Sequence, residues 1–385
     1  MPAPALVHWT EDGQPRSARW RSERGAAPPK QVAIADDRIT ADDAYGLACQ
    51  GVALLWRGDF QNARQMLTAM ASRADRPPAK ARKAAAAAAP KSPVDAFNTE
   101  RQARSQRART LGMLLIPLEA DYTIPLRRAP DRREACEEAY GPAEGPSLVS
   151  LRELLGVIGA HEWRKNGIEV PAIGGRIHPH YGIFAPVRSE YVDLVARAPL
   201  PGALATTPLA FDVGTGTGVL AAVLARRGIP RVIATDLDPR ALACARENLQ
   251  RLGLAKRVEV VEADLFPEGR AALAVCNPPW IPARPSSPLE HGIYDPDSRM
   301  LKGFLQGLAS HLAPGGEGWL VLSDLAEHLG LRTRDELLAA IESAGLKVVD
   351  RMETRPKHPR ATDATDPLHQ ARKSEVTSLW RLATR

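Results

Sequence analysis

An α/β fold is predicted for this 385-residue chain. It is a seven-stranded, largely parallel sheet with helices on both faces, preceded by a mainly helical N-terminal region. Three observations carry that prediction. From Ile177 onward strand-like and helix-like runs alternate, the pattern of helices crossing over between parallel strands. A strand over 209–213 runs straight into a glycine-rich turn, Gly214-Thr215-Gly216-Thr217-Gly218, and then into a helix. Carboxylates stand at the ends of the first three strands of this part, the edge at which open α/β sheets receive ligands.

The elements follow in order. Residues 1–39 are polar and proline-rich, and a loosely ordered segment is expected. Residues 40–176 are expected to be a helical, substrate-recognising region. Within it, Leu47, Cys49, Val52, Leu54, Leu55 and Trp56 make one apolar run. Arg57-Gly58 breaks the run, and Asp59 is placed to cap a second helix on which Ala63, Met66, Leu67 and Met70 recur at helical spacing. No second copy of this pair occurs, so core helices rather than a repeat array are expected. A basic linker is expected near 73–109, where Pro77-Pro78, clustered lysines and six consecutive alanines precede Pro90. The chain then turns apolar at Leu111, Met113, Leu114, Leu115 and Ile116. Leu151, Leu154, Leu155 and Ile158 mark a further amphipathic helix over 150–159.

The third part spans 177–385. Strands are expected near 209–213, 231–235, 258–261, 273–276, 318–322, 347–351 and 376–382, and helices near 219–227, 239–252, 298–312 and 332–344. No clear helix parts the last two strands, so a closing antiparallel hairpin is expected. That ending differs from an ordinary dinucleotide-binding sheet.

The bulk properties exclude several classes. No run of about 18 apolar residues is present to span a membrane, and the N-terminus lacks the basic start and apolar run of a secretory signal. Cys49, Cys136, Cys244 and Cys276 are scattered and form no metal-binding pair, so a reduced cytoplasmic protein without a metal centre is expected. His178 and His180 alone make a poor metal site. The net charge of +6 is concentrated: 73–109 holds ten Lys/Arg against three Asp/Glu, and 351–385 holds eight against four. Such strips attract phosphates or form solvated connections. Oligomeric state is not legible.

The candidate site is built from two motifs. Glycines 214, 216 and 218 permit a tight turn and close backbone approach to a ligand, with Thr215 and Thr217 between them. Asp236, followed by Leu237, ends the second strand, where a carboxylate can accept both hydroxyls of a ribose. Asp264, followed by Leu265, comes after the third strand and can face an adenine amino group. Asp212 precedes the glycines and can sit under the turn near a cationic amino-acid moiety. The second motif, Asn277-Pro278-Pro279-Trp280, follows the fourth strand. Two prolines fix its backbone and leave carbonyls without competing N–H groups. Asn277 Oδ1 and the Pro278 carbonyl can accept the two N–H bonds of a planar amide or amine, and Trp280 can stack on it.

These residues, with Thr235-Asp236-Leu237-Asp238-Pro239 and Ala263-Asp264-Leu265-Phe266, resemble the class I S-adenosylmethionine-dependent methyltransferases over about 177–385. The resemblance implies a Rossmann-like methyltransferase sheet with S-adenosyl-L-methionine as cofactor. The glycines would line its methionine part, Asp236 would hold the ribose, and Asp264 with Leu265 the adenine. The four-residue loop is similar to that of methyltransferases acting on protein glutamine or on RNA and DNA bases. Phe184 to Tyr191 resembles the segment ahead of the turn in HemK-type release-factor glutamine methyltransferases. This chain departs from that group in its longer N-terminal part, its basic linker and Trp280 in place of the usual tyrosine. The implied reaction is N-methylation of a macromolecule: protein or RNA, with DNA the weaker candidate. Two other readings stay open, a nicotinamide-dependent oxidoreductase and a non-catalytic RNA-binding module on the same scaffold.

Overall fold

The computed structural model describes residues 5–76, 92–187, 189–285, 288–356 and 366–385. It divides into two compact units, Met1–Lys91 with Asp95–Glu162 and Ser92–Val94 with Trp163–Arg385. The division precedes the expected 176/177 boundary because Val170, Ile173 and Ile177 are buried in the core of the second unit.

The first unit is organised by a sheet that the sequence reading did not anticipate. Its elements are β1 (Leu6–Glu11), β2 (Gln14–Arg21), β3 (Gln31–Ala35), α1 (Ala41–Cys49), β4 (Val52–Trp56), α2 (Phe60–Ala74), α3 (Pro93–Leu111), β5 (Leu114–Leu118), α4 (Arg133–Tyr140), β6 (Ser147–Ser150) and α5 (Leu151–Asn166). The strand order is β1-β2-β6-β5-β4-β3, with β3, β4 and β5 mutually parallel. Residues 6–35, expected to be loosely ordered, therefore contribute three strands. The local signal was Asp12-Gly13: both residues have positive φ and join β1 to β2 as a two-residue hairpin, with Glu11 opposite Gln14.

The expected helical pair over 40–72 is α1 and α2 with a strand between them. Val52–Trp56 is apolar at every position, a pattern that fits a buried strand as well as a helix. Leu54 and Trp56 enter one core and Ala53 and Leu55 the other, so the run covers both faces of the sheet. Asp59 caps α2 as expected, its carboxylate accepting from Gln61 N. Of the expected linker, residues 77–91 with the alanine run lie outside the described residues, and 93–111 is helix. The Arg, Gln and Ala content of that stretch favours helix despite its charge.

The second unit contains β7 (Ile168–Val170), β8 (Gly175–Ile177), α6 (Glu190–Arg197), β9 (Leu209–Val213), α7 (Val219–Arg226), β10 (Arg231–Asp236), α8 (Pro239–Arg251), β11 (Val258–Glu262), β12 (Ala271–Cys276), α9 (Arg299–His311), β13 (Leu312–Ser323), α10 (Leu325–His328), α11 (Arg334–Ser343), β14 (Leu346–Thr354), α12 (His369–Ser374) and β15 (Thr377–Thr384). All seven expected strands and four expected helices are present. The main sheet has the order β11-β10-β9-β12-β13-β15-β14. The last two strands pair antiparallel, with only the six-residue α12 described between them.

Alternate residues of the inner strands face two cores. Ala210, Leu273, Val275, Trp319 and Val321 enter one, while Phe211, Val213, Ala274, Cys276, Leu320 and Leu322 enter the other. Helices thus cover both faces of the sheet. The strand order reverses between β9 and β12, the place where such sheets open a crevice.

In the first unit Gly58 is held against Asp37. A Cβ there would lie 2.3 Å from Asp37 Oδ1 and 2.9 Å from its backbone nitrogen. The Asp37 carboxylate in turn accepts from Asp59 N at 3.0 Å. Gly58→Ala is expected to destabilise this unit by about 1–3 kcal/mol, the usual cost of overpacking. Urea unfolding checks it, and an unchanged midpoint refutes the constraint.

Candidate functional site

Register brings the two motifs together. Cys276 stands opposite Val213, Val213 opposite Thr235, and Thr235 opposite Val261. The next residues, Asn277, Gly214 and Asp236, therefore leave three adjacent strands side by side, with neighbouring strands about 4.8 Å apart.

The turn is held from below by Asp212, which is 1% exposed. Its Oδ2 accepts from Thr215 Oγ1 at 2.6 Å and from Ala221 N at 2.9 Å. Helix α7 starts after Gly218 in a left-handed conformation without a side-chain cap of its own. Asp212 supplies the missing acceptor to one of the helix's orphan N–H groups. Burial pushes its carboxyl up to about 6; the bonds from Thr215 and Ala221 oppose that and the charge of Asp236 adds to it.

Gly214, Gly216 and Gly218 all have positive φ, at 72°, 54° and 82°. A Cβ on Gly214 would strike Met300 Cε at 2.2 Å, whereas one on Gly216 would meet nothing within 4 Å. The middle of the turn thus faces open space in which a ligand can approach the backbone. Thr215 and Thr217 are buried, with the Thr215 amide bonded to the Thr235 carbonyl at 2.8 Å.

Asp236 is half-buried. Its Oδ2 accepts from Gly216 N at 2.9 Å and its Oδ1 from Asp238 N at 3.0 Å. Burial is the main cause that raises its carboxyl above the ordinary value, and these backbone bonds counter it. A carboxylate has about four acceptor sites, so capacity for two hydroxyls remains. Leu237 beside it is 48% exposed, an apolar surface at the crevice edge. Asp264 is exposed and ion-paired to Arg299 at 2.8 Å. Leu265 holds φ at 74°, and its carbonyl accepts from Thr235 Oγ1 at 2.5 Å. A non-glycine residue in that region is strained and is held there by its surroundings. Here these are the Thr235 bond and Gly303, where a Cβ would lie 2.5 Å from Leu265 Cδ1.

In the second motif Asn277 is half-buried, Pro278 buried, and Pro279 and Trp280 half-buried. Trp280 packs against both cores, its ring at 89° to that of buried Tyr191 with centroids 6.5 Å apart. Its indole N–H donates to Asn277 Oδ1 at 2.8 Å. The segment beyond is folded back on the loop: Ile281 N donates to Ile293 O at 3.1 Å, and Asp295 N to Ile281 O at 2.8 Å. Residues 293–295 are thereby tied to the residue after Trp280. Cys276 is wholly buried, and burial raises its thiol far above the ordinary range, which removes it as a nucleophile.

Several supporting residues escaped the sequence reading. Buried Asn248 on α8 donates to Thr217 O at 3.1 Å and accepts from His178 N at 2.7 Å, tying the turn to the segment before it. His180 Nε2 lies 2.7 Å from Glu247. Asp295, 5% exposed, accepts from Met300 N and Leu301 N at the start of α9. An Asn among the apolar residues of α8's buried face was the one legible signal; the Asp295 contact bridges a left-handed pair, Asp297 and Ser298, that no periodicity announces. Among the described residues no group of three or more His, Cys, Asp or Glu is placed to hold a metal ion, and no helix is long and apolar enough to cross a membrane.

A strand-order reversal, a glycine turn and strand-end carboxylates define an α/β domain of the kind that receives ligands at its carboxyl edge. Comparison shows what this part of the chain is similar to. Residues 194–343 match the methyltransferase small domain. The ribosomal protein L11 methyltransferase of Pelotomaculum thermopropionicum is 39% identical over 37% of this chain and 39% of its own length. The release factor glutamine methyltransferase of Cereibacter sphaeroides is 36% identical over 35% of this chain and 51% of its own length. The chain thus spans about half or less of these curated relatives. A Thiobacillus denitrificans S-adenosylmethionine-dependent methyltransferase, solved with S-adenosyl-L-homocysteine, is 17% identical, with a TM-score of 0.36 over 52% of this chain and 92% of that one. Over residues 194–343 the second unit is thus similar to the methyltransferase small domain and to these two methyltransferases.

Because the Asp212 carboxyl titrates higher in the fold than its ordinary 3.8, the folded state binds that proton more tightly. The group's contribution is present below the unfolded value and withdrawn as pH rises through the folded one. The stability difference between wild type and Asp212→Asn is expected to fall by roughly 3 kcal/mol between pH ~4 and ~6 and stay flat above. Urea titrations across pH check this, and a constant difference contradicts it.

Proposed function

We propose that the chain is an N-methyltransferase that transfers a methyl group from S-adenosyl-L-methionine to an amide or exocyclic amine nitrogen of a macromolecule, with a polypeptide as the favoured acceptor. The observation that carries it is the register placing Asn277 beside Gly214 and Gly214 beside Asp236. An oxidoreductase would leave the Asn277 loop without work at that position.

The cofactor, when bound, supplies an electrophilic methyl group. Gly214, Gly216 and Gly218, with Thr215 and Thr217, admit its amino-acid part to the backbone of the turn, which Asp212 holds in shape. Asp236 accepts from the ribose, and Leu237 and Leu265 flank the adenine. Asp264 meets the amino group with the oxygen left free by Arg299.

An amide or aromatic amine nitrogen is a weak nucleophile because its lone pair is delocalised. The Asn277 carboxamide and the Pro278 carbonyl accept its two N–H bonds, hold the lone pair toward the methyl group and favour the more tetrahedral nitrogen of the transition state. The nitrogen loses its proton after transfer, so no strong base is required beforehand.

The polypeptide assignment is supported by the names of the relatives, both protein methyltransferases. Charge supports it too. Several cations of the 73–109 strip are spent internally, Arg73 on Asp42, Arg104 on Glu100 and Arg107 on Asp75. At the crevice, Asp236, Asp238 and Asp264 would repel a phosphate backbone. A substrate of the translation apparatus would place the enzyme in the cytoplasm, in keeping with its four free cysteines.

The test is incubation with radiolabelled S-adenosylmethionine and extract from a strain lacking the protein. Label in a protease-sensitive fraction is expected; label sensitive to ribonuclease moves the acceptor to RNA, and absence of transfer overturns the activity. Asn277→Ala is expected to slow transfer by roughly 100-fold or more while cofactor affinity is retained. Asp236→Ala is expected to weaken cofactor binding about tenfold or more, measured by calorimetry. Near-normal turnover in the first, or unchanged affinity in the second, removes the assigned role.

A further inference from the structure

The side chain that completes the acceptor loop is Trp280, and its ring nitrogen carries information that its ring area does not. Indole Nε1–H can only donate. Its contact with Asn277 Oδ1 at 2.8 Å therefore fixes which way the carboxamide points. The flipped amide would set an N–H₂ group against an N–H, two donors facing each other at hydrogen-bond distance. The ring cannot swing away to accommodate that flip, because it is wedged between both cores and against the edge of Tyr191.

We propose that Trp280 is a positioning residue that acts through its N–H, locking Asn277 so that its oxygen, and not its nitrogen, is presented to the acceptor. This inference rests on the methyltransferase reading above. It assigns to Trp280 a task different from stacking on the planar target, which was the expectation from sequence. Asn277 has one chemical duty, to accept. Left to rotate, its amide would present donors for part of the time, and a donor facing an N–H₂ acceptor group repels it. The carbonyl oxygen has two lone pairs. One is taken by Trp280, and the other stays for the substrate with its direction set by the amide plane.

Donor and ring roles predict opposite orders of activity. The imidazole of histidine overlays the five-membered ring of indole and carries an N–H at Nε2, in the place of indole Nε1. Phenylalanine keeps more apolar ring and has no donor. The rate of label transfer at saturating cofactor is therefore measured for Trp280→His and Trp280→Phe, alongside wild type, with S-adenosyl-L-homocysteine affinity by calorimetry as the readout of folding. The expected result is a fall of roughly tenfold or more for Trp280→Phe, as for loss of one hydrogen bond to a reacting centre. Trp280→His should retain more activity, and both should keep wild-type cofactor affinity. Phenylalanine equal to or better than histidine would overturn the donor role and return Trp280 to packing or stacking. If either variant fails to bind cofactor, site-specific replacement of Trp280 by benzothienylalanine, which swaps the N–H for sulfur at nearly constant shape, decides. A matching loss of rate supports the lock, and an unchanged rate refutes it. Any of these outcomes presupposes transfer by wild type, so failure of the methyltransferase reading itself is seen separately.

Discussion

The buried carboxylate of Asp212 is the constraint from which the site is built. It lies buried near the end of β9, where an ionised group without partners would be costly. Thr215 Oγ1 and Ala221 N satisfy it. In doing so they fold the glycine turn back over the strand and start α7 directly behind it. The turn's own amides are then distributed: Thr215 N to the Thr235 carbonyl and Gly216 N to Asp236. One buried charge thus sets the loop, the helix and the neighbouring carboxylate together, and the crevice is what remains between them.

The first unit shows what the same geometry does without such a turn. It also has parallel strands with acids beyond their ends, Asp37 after β3 and Asp59 after β4. No glycine-rich turn follows either strand. Asp37 is taken by the Asp59 amide and Arg127, and Asp59 by Arg128 at 2.6 Å. These carboxylates are balanced by the chain's own cations, whereas Asp212 and Asp236 lean on backbone N–H groups.

Much of the second unit was legible because its strands are short apolar runs separated by strong helix signals, such as Asp238-Pro239 at a cap and Thr333 with Glu336 as a capping box. The candidate site residues could be placed at one edge for the same reason. The first unit was harder. Val52–Trp56 has no alternation to distinguish a two-faced buried strand from a helix, and β2 carries three arginines in a stretch that reads as disordered. Its partner β1 is fixed by a two-residue turn whose signal, Asp12-Gly13, is local and easily passed over. What the sequence withheld at the site were contacts made across long separations: Asn248 to His178 and Thr217, Tyr191 to Trp280, Asp295 to α9. None follows from spacing, because each joins elements whose approach is decided by the sheet order.

The neutrality of residue 277 follows from the same crowding. The charge of Asp236 adds to the rise that burial causes in the Asp212 carboxyl, and Asp212, Asp295 and Asp236 add to the rise that burial causes in the adjacent Cys276 thiol. A carboxylate at 277 would add a further negative charge at the end of the next strand, beside Asp212 and Asp236. A carboxamide accepts a hydrogen bond without adding charge. Its weakness is that its two ends are nearly equal in shape and opposite in function. In the proposed site, Trp280, packed against both cores and donating to Asn277 Oδ1, removes that ambiguity without a charged group.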